Sequence, residues 1–586
     1  MFRPSNNRFC HYPLLLLVGI LLYFVNLGGA TLWDLDEGRN ATTSMEMLRG
    51  QSWIIPTCNG ELRVHKPVLL YWLQMGSYQV FGVNEFGARF PSALAGLLTI
   101  LLVYELTRRL FDPQTALLSG IIFGSSVLMC AAARFANQDA LLNFCAVLTF
   151  FLFYRHYAKT GRYPFIACGV AMALGFLAKG PVGVVLPAGI IGLYLFWERK
   201  LSILWHPKLL LGCVVFCLIA IPWYALVGVE TKGEFLRGFF LKHNIGRALS
   251  PMEQHGGGPH YYLVVLLIGF APWSVFAGLT LWYGFWSSFR NVNGRFRKAW
   301  EMAHDGTLAN QETGATEGRT FAQSFASEYR LLWCWATVYL LAFTIAATKL
   351  PNYILPMSAP VAILLGRFFE RWRRGSLPLF QTWCRFGFVL FVVLGLLVVS
   401  LLWMPNLAPS LFGPSGLNGI RWLGFVGILP IASSLWAWWQ LNQNQRTRVV
   451  ATMSIGTVFV LSFFAAYGTS WFNQIKSPEP LVAEGKLCDP ERQFLIGAYN
   501  VNHLPSITFY AKRTVKYYWD PKLAEQFLHH KVPAYLFVRR SEWEKYFPTP
   551  PKTCRVVASH HDMYQHCEII VVSNGVSNES TVASRQ

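Results

Sequence analysis

The chain has 586 residues, of which 53% are apolar and only 14% charged, and its mean hydropathy is +0.35. That balance excludes a soluble protein of several domains. The formal charge of +20 would suggest a nucleic-acid partner in a soluble chain, but no basic, aromatic-laced soluble module accompanies it, and cytoplasmic loops of membrane proteins are enriched in Lys and Arg.

Apolar runs of a length that crosses a hydrocarbon core recur through residue 467. They occupy 12–30, 89–111, 114–133, 138–157, 163–178, 180–197, 207–228, 261–285, 331–347, 353–369, 384–404, 420–440 and 448–467, about thirteen spans. The first follows Arg3 and Arg8 and ends in Leu27-Gly28-Gly29-Ala30, as a signal peptide would. It is read as an uncleaved span, because the polar motif after it makes most sense held at the membrane surface. Positive charge gathers in alternate loops, at Arg108 and Arg109, at Arg155, Lys159 and Arg162, at Arg199, Lys200 and Lys208, at Arg290 to Lys298, at Arg367 to Arg385, and at Arg446 and Arg448. The positive-inside rule then puts the N-terminus in the cytoplasm, and an odd number of spans puts the chain beyond about 470 outside.

From 475 to 572 the pattern changes. Short β-type runs (Gln493–Tyr499, Val515–Trp519, Ala534–Val538, Arg555–Ala558, Glu568–Val572) alternate with helix-like stretches at Leu523–His530 and Ser541–Tyr546, which predicts a small α/β domain. The expected architecture is an α-helical polytopic membrane protein with a small external C-terminal α/β domain. Residues 1–470 form the transmembrane part, with an external loop at 31–88; residues 471–572 form the α/β domain; and 573–586 are a disordered tail. The stretch 299–327 reads as a flexible cytoplasmic loop. The twelve cysteines follow no zinc or redox spacing; if Cys488, Cys554 and Cys567 lie outside the cytoplasm, one pair of them can form a disulfide. Asn40-Ala41-Thr42 and Asn578-Glu579-Ser580 are glycosylation sequons.

The unusual polar residues fall on the external side of this topology. Asp34, Asp36 and Glu37 follow the first span, and three carboxylates at a membrane surface need a cation, a metal or a proton for compensation. Asp36 fits the N-cap of a helix over Gly38–Arg49, whose Ala41, Met45 and Leu48 suit lying along the membrane. Later in the loop comes Arg63-Val64-His65-Lys66-Pro67-Val68-Leu69-Leu70-Tyr71-Trp72. Lys66 there is either a snorkelling anchor or an ammonium at headgroup depth for a lipid phosphate. Arg134 and Asp139, Lys179, His243 and Arg247, and Lys349 with Tyr353 sit at other external breaks. Singly each is best explained as a helix-end anchor; together they point to one cavity.

Asp36-Glu37-x-Arg39 followed by Lys66-Pro67-x-Leu69-Leu70-Tyr71-Trp72 resembles the first external loop of the dolichyl- and polyprenyl-phosphate-dependent glycosyltransferases of the GT-C class. Lys349-Leu350-Pro351-x-Tyr353-Ile354-Leu355-Pro356, and Ala132-Ala133-Arg134 with Asp139, resemble the bacterial aminoarabinose transferases that modify lipid A. Val68 stands where the family's usual second proline would be. The resemblance implies transfer of a sugar from a polyprenyl-phosphate donor to a lipid or glycan acceptor at the inner membrane, with a periplasmic C-terminal domain and inversion at the anomeric carbon. The candidates for holding the donor phosphate are Arg39, Lys66, Arg247 and Tyr353, and the candidate catalytic carboxylates are Asp36 and Glu37. Asp36 is either a general base or an orienting group. Asp34, Arg134, Asp139, Lys179, His243 and Lys349 are secondary candidates. No cofactor is required; a divalent metal near Asp36 or His243 is compatible but not demanded. The alternatives are a protein O-mannosyltransferase using the same donor type and a lipid or sugar transporter; the absence of internal repeats speaks against the transporter.

Overall fold

A computed structural model of the chain describes residues 8–34, 36–159, 165–251, 256–288, 325–375, 377, 380–400, 424–489, 492–501, 504–547 and 553–576. Most of the loop at 299–327, the turn at 405–419, the sequon at Asn578 and residues 577–586 of the expected tail lie outside these. Ser573, assigned to that tail from sequence, ends the last strand.

Among the described residues six helices are long and apolar enough to cross a bilayer, and up to eight if each of two bent pairs is one span. Three shorter apolar helices, Cys10–Tyr23, Phe165–Lys179 and Val182–Trp197, join them. The thirteen expected intervals all contain helix, but not thirteen unbroken spans. The run at 114–133 bends by 62° between Pro113–Gly124 and Val127–Arg134. At the break the Ser125 and Ser126 hydroxyls donate back to the Ile121 and Phe123 carbonyls, offering the backbone an alternative to its own ladder. The run at 261–285 turns by 118° at Pro272, which has no N–H to continue the helix. Glycines let neighbouring helices approach closely: a Cβ at Gly169 would collide with the Gly212 carbonyl.

The N-terminal part contains four helices, α1 (Arg8–Tyr23), α2 (Asp36–Arg49), α3 (Leu69–Phe81) and α4 (Glu85–Leu110), of which α2 contributes Asp36 and Arg39 to the cavity described below. In α1 one face, with Leu15 and Leu22 fully buried, packs inward, while Leu14, Leu17 and Ile20 stay exposed, as a lipid-facing helix requires. A short hairpin, β1 (Thr57–Cys58) and β2 (Glu61–Leu62), links α2 to α3. Its turn is held by the Glu46 carboxylate, which accepts from Asn59 N at 2.7 Å and Thr57 Oγ1 at 2.8 Å.

The C-terminal region forms a five-stranded sheet in the order β4-β3-β5-β7-β6, with β3 Leu495–Tyr499, β4 Val515–Tyr518, β5 Ala534–Arg539, β6 Arg555–Asp562 and β7 Cys567–Ser573. β3 pairs in parallel with β4 and β5, and β7 pairs antiparallel with β5 and β6. Residues Ala534–Val538 of the central β5 are all buried, as a strand covered on both faces should be. All twelve cysteines are free, so the disulfide envisaged among Cys488, Cys554 and Cys567 is not formed.

Two placements differ from expectation. α2 does not lie along a membrane: Ala41 and Met45 are buried against Tyr78, Ala88 and Phe509, between the helical part and the C-terminal domain. Asn40 of the first sequon is fully buried and donates to the Ala136 carbonyl at 3.0 Å, leaving no room for a glycan.

Candidate active site

The acidic turn divides its three carboxylates among three environments. Glu37 faces the protein interior, where it is 2% exposed. Its oxygens take both Arg89 Nε and Nη2 at 2.9 Å, together with the backbone N–H groups of Trp33 and Ala136 at 2.8 Å. Burial alone would raise its pKa, but Arg89 and these donors outweigh that and hold it below the ordinary value. Glu37, a candidate catalytic carboxylate from sequence, thus lies outside the cavity lining, with its acceptor directions taken up by Arg89, Trp33 and Ala136. Breaking a buried pair leaves one charge uncompensated, so Arg89→Met is expected to cost about 3–5 kcal/mol. Thermal unfolding of the detergent-purified protein measures this, and an unchanged midpoint would show the pair to be dispensable.

Asp34 is buried as well, and its Oδ1 accepts from Ser506 N at 3.0 Å and Ser506 Oγ at 2.6 Å. Burial pushes its pKa up to about 7 even though the Ser506 bonds oppose the rise. It belongs to the contact with the C-terminal domain. Only Asp36 opens outward, into a cavity of about 250 Å³ lined by Arg39, His65, Lys66, Lys179, His243, Arg247 and Tyr353 on its polar side and by Val182, Leu186 and Phe343 on its apolar side. The split follows from helix geometry: consecutive residues are about 100° apart around the axis, so Asp36 and Glu37 cannot face the same way.

Lys66 is brought to Asp36 by anchors on both sides. Val68 and Tyr71 are fully buried in an aromatic cluster with Trp223, Phe235 and Phe239. Upstream, Arg63 donates to the Tyr71 hydroxyl and to Asn40 Oδ1, both at 2.9 Å, stapling the loop to α2. Burial lowers the Lys66 pKa to about 8, with Lys179 and Arg247 adding to the fall and Asp36 and Asp139 resisting it. For Asp36 burial acts upward, but Lys66, Arg63, Arg39 and Arg247 together win and the carboxyl titrates below its ordinary range. His65 packs on His243 with ring centroids 4.0 Å apart; burial and then Arg63 and His243 lower it to about 3, so it is neutral at physiological pH.

The opposite wall comes from distant helices. Lys179, at the end of Phe165–Lys179, pairs with Asp139, and Asn352 donates to the other Asp139 oxygen at 2.6 Å. The Lys179 ammonium also lies over the Tyr353 ring at 4.9 Å, and Arg247 donates to the Tyr353 hydroxyl at 3.2 Å. Because that oxygen accepts from Arg247, its own proton is free to point into the cavity.

Two secondary candidates serve elsewhere. Lys349 donates to the Thr344 and Ala346 carbonyls at 2.7 and 2.9 Å, and Arg134 to those of Leu22, Val25 and Asn26 at 3.0–3.3 Å. Both satisfy carbonyls left open at helix C-termini. Residues without an assigned role from sequence are His65, beside Lys66 in the same motif, and Arg63, whose buried guanidinium joins Lys66 in holding the Asp36 carboxyl below its ordinary range. Their position in that motif was the available signal. Asn244 and Thr348, which also line the cavity, had none. Among the described residues no three His, Cys, Asp or Glu side chains are grouped to hold a metal ion.

Residues 65–225 match the family described as dolichyl-phosphate-mannose-protein mannosyltransferase. The undecaprenyl phosphate-alpha-4-amino-4-deoxy-L-arabinose arabinosyl transferase of Pseudomonas paraeruginosa is 31% identical over 61% of this chain and 60% of its own length. The enzyme described by the same name, numbered 1, from Pseudomonas fluorescens is 31% identical over 66% of this chain and 64% of its own. The chain thus spans less than two thirds of the length of the curated relatives it matches. The crystal structure of ArnT from Cupriavidus metallidurans bound to undecaprenyl phosphate superposes with a TM-score of 0.76 at 20% identity, covering 97% of this chain and 98% of that one. The fold is shared along essentially the whole chain, and the sequence resembles the aminoarabinose transferases over about three fifths of it.

Proposed function

We propose, from its likeness to the GT-C glycosyltransferases, that this polytopic membrane protein transfers a sugar from a polyprenyl-phosphate donor to a lipid or glycan acceptor resembling lipid A. In this reading the reaction takes place on the non-cytoplasmic face of the inner membrane, with the N-terminus in the cytoplasm and the C-terminal domain in the periplasm. The observation that carries it is the charge of one cavity: Arg39, Lys66 and Arg247 stand around a single outward carboxylate, Asp36, an excess of cations suited to an anionic phosphate.

In the reaction an acceptor oxygen attacks the anomeric carbon as the bond from that carbon to the phosphate oxygen breaks. The electron pair leaves with the polyprenyl phosphate, and a single displacement inverts the centre. Lys66, Arg39 and Arg247 neutralise the charge growing on that oxygen, and the Tyr353 hydroxyl donates to it. Preorganised cations facing a developing anion are among the larger catalytic contributions. Asp36, held in its ionised form, is a poor base and a good orienting group. It suffices for an acceptor that is already an anion, such as a phosphate, which needs no deprotonation.

The match of residues 65–225 to a protein mannosyltransferase family favours a second reading, with a protein hydroxyl as acceptor. The test is transfer by purified protein in nanodiscs from a panel of undecaprenyl-phosphate sugars, offered lipid A and a serine- and threonine-rich peptide in parallel. Sugar appearing on lipid A supports the first reading and sugar on the peptide the second. Movement of the donor between leaflets with no transfer at all would replace both with a transporter.

A further inference from the structure

We propose that the C-terminal domain positions the cavity carboxylate, with Asp34, held by Ser506, as a positioning residue for Asp36. The proposal rests on the cavity being the reaction site and adds a part of the machinery drawn from beyond it.

The segment leading into α2 is bonded almost group by group to the far end of the chain. Thr31 N and Oγ1 donate to Asn473 Oδ1 at 2.8 and 3.1 Å, and the Thr31 carbonyl accepts from Lys476 Nζ at 2.6 Å. Leu32 N donates to the Tyr510 hydroxyl at 2.8 Å, and that hydroxyl donates on to Glu85 at the head of α4 at 2.9 Å. Asp34 N donates to the Tyr564 hydroxyl at 3.2 Å, while the Asp34 carboxylate takes Ser506. Further along α2 the brace continues, from Thr42 Oγ1 to the Pro505 carbonyl at 3.1 Å and from Arg49 to the Lys512 carbonyl at 2.8 Å. Gly38 records the same closeness independently, since a Cβ there would lie 3.2 Å from Ser506 N and 3.3 Å from Pro505 Cγ.

The contacts of Asp34 and Gly38 with Pro505 and Ser506 meet the helix at its first turn, the turn that carries Asp36. Of the cavity cations, Arg39 rides on α2 with Asp36 and Lys66 is tied to α2 through Arg63 and Asn40, whereas Lys179 and Arg247 belong to other helices, so loosening this contact displaces the carboxylate relative to those two. Stability alone does not account for Asp34: its Oδ2 is buried without a hydrogen-bond partner, which costs folding free energy. A displacement of about 1 Å in a reacting geometry is enough to cost a large rate factor.

The test compares the full chain carrying Asp34→Ala, Asp34→Asn or Ser506→Ala in nanodiscs, by steady-state transfer and by amide hydrogen exchange over residues 36–49. Asp34→Ala is expected to lower kcat about ten-fold, the size of losing two hydrogen bonds to a carboxylate, with a smaller change in donor KM and faster exchange in the first turn of α2. Ser506→Ala, the milder change, follows in the same direction by about three-fold because the Ser506 N–H remains. Asp34→Asn keeps the Oδ1 acceptor and stays within about three-fold of wild type. Wild-type kcat in Asp34→Ala, or equal losses in the Asn and Ala variants, would overturn the proposal. If the wild-type protein transfers no sugar, the functional reading fails on its own, and exchange still decides: faster exchange in Asp34→Ala supports the brace and unchanged exchange ends it.

Discussion

Asp36→Asn is expected to lower kcat by roughly 10²- to 10³-fold, the range of losing a catalytic group that orients or deprotonates the acceptor, without weakening donor binding. Asp36 is the only one of the three carboxylates in its turn that opens into the cavity, and Lys66, Arg63, Arg39 and Arg247 keep it ionised. A carboxylate among these cations repels an incoming phosphate, so its neutralisation leaves donor affinity unchanged or tighter while the chemical step slows. Because these cations hold Asp36 ionised, its neutralisation also removes a favourable interaction, and a modest fall in the unfolding midpoint is expected. Measuring kcat, donor KM and equilibrium binding of polyprenyl phosphate on the same preparation separates these effects. Full activity would remove Asp36 from the mechanism, and lost binding would turn it into part of the donor site. Glu37→Gln provides the contrast, because its defect belongs to stability.

Lys66→Ala is expected to lower kcat/KM for the donor by roughly 10²- to 10³-fold, as for other single donors facing a developing anion, and here donor affinity falls too. The pH profile makes the assignment specific. Burial with Lys179 and Arg247 nearby brings the Lys66 pKa down to about 8, and the ammonium, the form that binds phosphate, is populated below that value. In the free enzyme kcat/KM therefore holds steady below about pH 8 and declines as pH rises through it. Lys66→Arg keeps its charge throughout that range and should lose the decline even if its rate is lower. His65, lowered to about 3, contributes no inflection between pH 6 and 7. A profile flat to pH 10 in the wild type would mean that no lysine of this kind controls donor capture.

How far each feature could be read in advance depended on how local its cause is. The strands of the C-terminal domain were legible because β-branched and aromatic residues in short runs mark a strand by themselves. The five expected runs coincide with β3 to β7 to within a few residues, whereas the helices Pro478–Glu484 and Pro505–Ala511, too short for a periodic pattern, did not stand out. Lys349 and Arg134 looked like cavity residues because a cation at a helix break is the same letter whether it caps carbonyls or faces a ligand. Glu37 looked like a partner of Asp36 because adjacency in sequence conceals that a helix turns adjacent side chains apart.

By itself the sequence determined that the chain is a polytopic membrane protein with a small α/β domain at its end, and it determined the acidic and cationic residue types that meet around the cavity. Apolar length and β propensity are properties of a few neighbouring residues, and transfer from water acts on each of them independently of the rest. Only the tertiary structure decided which charges meet. Asp36, Lys66, Lys179, Arg247 and Tyr353 come from five separate stretches of chain, and helix packing brings them around one space. The same packing turned Glu37 toward Arg89 and set Ser506 against Asp34 across more than 450 residues, contacts that arise from complementary shapes and buried hydrogen bonds.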